Sequence, residues 1–113
     1  MKSIEISVIK EREATPFMEG SEYCKKYVET EMITFGTSVL PVGAKGAKDV
    51  GHTNSHEVFF VVRGIVLLYV EESDKYYELH EGDAALVNKG VSHTLVNIGE
   101  IPAVLSWSMA PSE

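Results

Sequence analysis

A single cysteine, Cys24, stands in the whole chain, so no internal disulfide can form and the usage fits a reducing, cytosolic setting. Basic residues are also scarce. Ten Lys and Arg stand against 17 Asp and Glu, a net charge of −7, which repels phosphate backbones and anionic membranes and excludes nucleic acid as an expected partner. No apolar run approaches the ~20 residues that span a bilayer. Met1 to Lys10 alternates charged and apolar residues without an uninterrupted apolar core, so no export signal is expected and the protein is read as cytosolic. Missing too is any long stretch of helical period.

What the 113 residues do contain is 44% hydrophobic residues, enough for one domain with one core and too few for separate catalytic and binding domains. From Lys25 onward the chain breaks into short apolar or alternating stretches divided by Gly, Pro, Asn, Asp and Ser. Strands are expected at Lys25 to Thr30, Met32 to Leu40, Val58 to Arg63, Ile65 to Val70, Lys75 to Leu79, Ala84 to Val87, His93 to Ile98 and Ala103 to Met109. Eight short strands point to an all-β jelly roll. Residues 1–20 lack a clear period and are read as an arm on a barrel domain of residues 21–113, packed outside it or across a second subunit.

Three of the four histidines lie beside two of these strands, in Gly51-His52-Thr53-Asn54-Ser55-His56-Glu57 and at His93. In a strand, side chains two apart share a face. If Glu57 points inward, Phe59 and Val61 follow it, while His56, Val58, Phe60 and Val62 face out. The unbroken apolar run Val58 to Val62 then needs cover on both sides, one from the barrel core and the other from the second sheet, the N-terminal arm or another subunit, and a homodimer is expected. Should His52, Glu57 and His93 converge, two imidazoles and a carboxylate suit Fe, Mn, Ni or Zn with coordination positions left for a small oxygen-bearing ligand.

The spacing Gly82, five residues, Asn88, one residue, Gly90, two residues, His93, three residues, Asn97 resembles the second motif of the cupin superfamily, with Asn88 where that motif has Pro. The first motif is matched in part: five residues separate Gly46 from His52, and six separate Glu57 from Gly64. Counted forward from His52, Asn54 takes the place of the second His; counted back from Glu57, Val50 takes the place of the first. His56 could supply the missing imidazole if a bulge or the preceding loop turned it inward. The resemblance implies a cupin-type double-stranded β-helix, a homodimer, and one divalent metal held by His52, His56, Glu57 and His93, with Glu57 a ligand or the catalytic proton-transferring base. It implies isomerase, lyase, decarboxylase or dioxygenase chemistry on a small oxygen-rich molecule. The alternative is a non-enzymatic cupin, a small-ligand-binding or dimerisation module with weak or no metal.

The remaining candidates are read as structural. His80 is expected at the surface, Arg63 in an ion pair, Cys24 as an inert thiol, and Tyr69, Tyr76, Tyr77 and Trp107 as core or interface aromatics.

Overall fold

Period-two patterning decides most of the chain. In the computed structural model, which describes residues 5–113, a short 3-10 turn at Glu11–Glu13 is followed by β1 (Thr15–Glu19), β2 (Glu22–Glu29), β3 (Thr34–Leu40), β4 (His56–Arg63), β5 (Val66–Val70), β6 (Lys75–Leu79), β7 (Ala84–Val87), β8 (Thr94–Asn97) and β9 (Ala103–Ala110). All eight expected strands form. The ninth, β1, lies inside the segment read as an arm: it pairs antiparallel with β2 in the register Phe17↔Cys24 and so belongs to the barrel wall. Gly20, at φ 58°, makes the reversal between them, a backbone state that glycine adopts without penalty. The first four residues of the expected arm, 1–4, lie outside the described residues.

The strands form two sheets, one of six in the order β1-β2-β3-β9-β4-β7 and one of three in the order β6-β5-β8. They face each other as a jelly-roll sandwich. Its core is Leu40, Phe59, Val61, Val66, Leu68, Leu79, Val87, Leu95, Ala103 and Leu105. Along β3, β9 and β4 the interior runs from a polar end, where buried Thr34 and Glu57 flank Met109, to an apolar end at Leu40, Ala103 and Val61, and Glu22 and Ser38 are further buried polar positions. In β4 both regimes meet, because Glu57, Phe59 and Val61 point inward in succession while Val58, Phe60 and Val62 are exposed.

Asn97 closes the apolar end. Its Nδ2 donates to the carbonyl oxygens of Leu40 (3.0 Å) and Ile101 (2.9 Å), and its Oδ1 accepts from the Gly99 amide (2.8 Å). One buried side chain thereby ties the ends of β3 and β8 to the turn before β9. Of the tyrosines expected in the core or at an interface, Tyr69 and Tyr76 stack with centroids 4.5 Å apart, and Tyr76 and Tyr77 are exposed on β6, an edge of the smaller sheet. Among the described residues no helix is long and apolar enough to cross a membrane.

Candidate metal centre and acidic cavity

Glu57 enters the interior because it sits one position before the alternating apolar run of β4, and the same alternation turns its neighbour His56 outward. The Glu57 carboxylate lies 3.4 Å from His93 Nε2 and 3.7 Å from His52 Nε2. Asp49 joins them. Its Oδ2 is 3.6 Å from His93 Nε2, while its Oδ1 accepts from the Gly51 amide at 2.8 Å, which holds the carboxylate in place. One ligand atom each from Asp49, His52 and Glu57 lie within 4.8 Å of one another, a spacing that a single ion can draw together.

His93 is positioned by the backbone. Its amide and carbonyl exchange hydrogen bonds of 2.8 Å with Asp49, and an edge-on contact with Phe59 (centroids 5.5 Å) fixes the ring. Nδ1 bonds to the Val91 carbonyl at 3.0 Å. A carbonyl can only accept, so Nδ1 carries the proton and the neutral ring presents a bare lone pair at Nε2. Burial works against the His93 cation, but Glu57, the Val91 carbonyl and Asp49 outweigh it and the pKa is raised. Despite these neighbours, Glu57 Oε1 and His93 Nε2 are buried without a hydrogen-bond partner. Facing each other at 3.4 Å, the two atoms would be satisfied by a proton on Nε2 or by a shared metal cation.

The expectation that His56 joins this group is not met: it is exposed, on the opposite face of β4 from Glu57, and no bulge reverses it. His80 is exposed and bonds to Glu78 at 2.6 Å. Buried Cys24 contacts Ser38 Oγ at 3.3 Å, and burial pushes its thiol up to about 11, the behaviour of an inert residue.

A cavity of about 190 Å³ opens beside the cluster, walled by Asp49, His52 and Glu57 on one side and by Glu19, Glu22 and Trp107 on another. Glu22 reaches it because the loop after β3 passes over it with a glycine. A Cβ at Gly46 would stand 2.5 Å from Glu22 Oε2. Burial, reinforced by the charge of Glu19, pushes the Glu22 carboxyl up to about 7. Glu19, on β1 at the mouth, is raised as well, by desolvation first and then by Asp49 and Glu57.

Two sheets of this topology, the cluster at their polar end and the motif spacing narrow the choice of family, and the family model decides it. The model described as Cupin domain matches residues 36–109. The chain is a cupin. Solved structures similar to this cupin include KdgF from Halomonas sp. (19% identity, 95% of this chain and 94% of that one, TM-score 0.78). A "predicted oxalate decarboxylase" from Thermotoga maritima is similar at 16% identity over 94% and 100% of the two chains, with TM-score 0.78. An RmlC-like cupin family protein from Methanocaldococcus jannaschii has 23% identity over 96% and 94%, with TM-score 0.76. At these identities the likeness concerns the fold. None of the curated proteins compared matches this cupin.

Sequence reasoning missed Asp49, Glu22 and Glu19. The one sequence signal for Asp49 was an acid beside Val50, which takes the place of the family's first histidine when the motif is counted back from Glu57. Val50 itself is exposed.

Proposed function

We propose that this cupin binds one divalent metal ion through Asp49, His52 and Glu57, with His93 as a further nitrogen donor, and uses it on a small oxygen-rich molecule in the adjoining cavity. The observation that carries this is the pair of buried, unpartnered atoms Glu57 Oε1 and His93 Nε2 among two more potential ligands. Mixed imidazole and carboxylate donors suit Mn, Fe, Ni or Zn. Such an ion, when bound, supplies Lewis-acid polarisation of a ligand oxygen. The chain's own residues supply orientation and proton handling. Trp107 and Phe59 shape the wall, and the Glu57 carboxylate in it serves as ligand or as proton-transferring base.

Elemental analysis of tag-free protein tests this. About one metal ion per chain is expected, and an Asp49→Ala, His52→Ala variant that still folds should lose it by more than the ~10–100-fold typical of outer-shell changes. His56→Ala should keep it. Folded protein that takes up none of the four metals when they are offered would overturn the proposal. It would favour the second reading, a ligand-binding or dimerisation module, which Asn54 in the place of a family histidine, counted forward from His52, supports.

Assembly belongs to the same proposal. The outer face of β4 and β7 carries exposed Val58, Phe60, Val62 and Leu86, with Val58 and Leu86 directly paired across the strands. A second copy covering this face would make an isologous dimer. By light scattering Phe60→Glu should halve the molar mass, and equal masses for wild type and variant would count against this interface.

A further inference from the structure

The cavity wall is unusual in sign. Among the described residues Glu19, Glu22, Glu29, Asp49 and Glu57 line it, and the one lysine there, Lys26, is paired with Glu29 at 3.0 Å. Neither Arg12 nor Arg63 lines it, so no guanidinium fork is present to read a carboxylate. Binding one divalent ion offsets the charges of Asp49 and Glu57. Glu19 and Glu22 remain, on β1 and β2, across from the ion. Beside them stand Phe17 and Trp107 in edge-to-face contact, centroids 6.3 Å apart, giving aromatic surface next to acceptor oxygens. Acidic oxygens with aromatic walls, and with no Lys or Arg free to meet a carboxylate among the described residues, recognise positive charge and donor hydrogens. Glu22, 6% exposed, brings into the wall a carboxylate that is not part of the Asp49, His52, Glu57 group.

We propose that this cavity selects a small organic ammonium compound bearing hydroxyl groups, an amino sugar or amino alcohol in class, and discriminates against carboxylates. The ammonium group would lie between Glu19 and Glu22 against the aromatic wall, and the hydroxyl end would face Asp49, His52 and Glu57. This rests on the reading of the cavity as the ligand site beside the metal, and it narrows the oxygen-rich ligand to one that is not an acid.

Three hexoses of similar size test the sign: glucosamine as cation, glucose as neutral reference and glucuronate as anion. Trp107 is the sole tryptophan, so its indole N–H resonance reports on the cavity without ambiguity. Titrations are run on chelator-treated and on zinc-loaded protein, with metal content measured on the same samples. Glucosamine should shift the Trp107 signal and bind about tenfold or more tightly than glucose, with glucuronate weakest. A Glu19→Gln, Glu22→Gln variant, close in shape to wild type, should lose that preference. Glucuronate binding as tightly as glucosamine, a preference that survives the double substitution, or no response to any of the three would overturn the inference. Metal retained with the anion preferred sinks the inference alone. Ammonium preference in protein that takes up no metal sinks the metal proposal alone.

Discussion

Asn97→Ala is expected to cost about 3 kcal/mol of stability, a shift of roughly 10 °C in Tm for a domain of this size. The side chain is 2% exposed and makes three hydrogen bonds, to the Leu40 and Ile101 carbonyls and from the Gly99 amide. Truncation leaves the Leu40 carbonyl at the edge of the core without this donor, frees the turn that feeds β9, and opens a small void. Asn97→Asp should be no better. It keeps an acceptor for Gly99 but turns an oxygen toward two carbonyl oxygens, and a buried charge there has no counter-ion among these partners. Metal content per folded chain should be unchanged in both, since Asn97 is not part of the Asp49, His52, Glu57 group. Urea unfolding of chelator-treated protein gives the measurement, and a change below about 1 kcal/mol would show that the three bonds do not hold the barrel end together.

Glu22→Gln moves stability in the opposite direction. Glu22 is 6% exposed and its carboxyl is pushed up to about 7 by burial and by Glu19, against 4.5 when unperturbed. A folded-state pKa above the unfolded value means that the native protein holds the proton more tightly. The contribution of Glu22 to stability is therefore greatest below about 4.5 and falls as the pH rises through about 7, where the native carboxyl ionises. The loss on complete ionisation is on the order of 3 kcal/mol. Glutamine carries no such charge. The variant should match wild type near pH 4.5 and exceed it at pH 8 by about 2–3 kcal/mol, with the gain opening between those limits. His93 adds a slope of the same sign: its raised pKa contributes stability at low pH that is lost as the pH climbs through the folded value. That part of the slope should persist in Glu22→Gln. An equal gain at pH 5 and pH 8 would mean that the effect came from packing and not from the charge.

Much of this was readable along the chain. Every expected strand formed, because alternation between a wet and a dry face is a local property. The inward turn of Glu57 and the outward turn of His56 followed from the same period, and the hope that a bulge would rescue His56 failed because β4 pairs regularly with β7 and β9 at its start. The strand at Thr15–Glu19 was not readable. Its exposed pattern carries no alternation, and it is a strand because β2 offers an edge for it to pair with.

Chemistry divides along the same line. Histidine and glutamate at strand spacing, and glycines and an asparagine at turn spacing, are determined by the sequence alone, since neighbours in the chain set which side of a strand they occupy. Asp49 reaches His93 only through an isolated bridge between a loop and the strand entry, and Glu22 reaches the cavity only because Gly46 leaves room above it. Neither placement has a local signature. Which carboxylates surround the candidate ion, and therefore which charge the cavity selects, was decided by long-range pairing of backbone groups, a property of the tertiary structure and of no single segment.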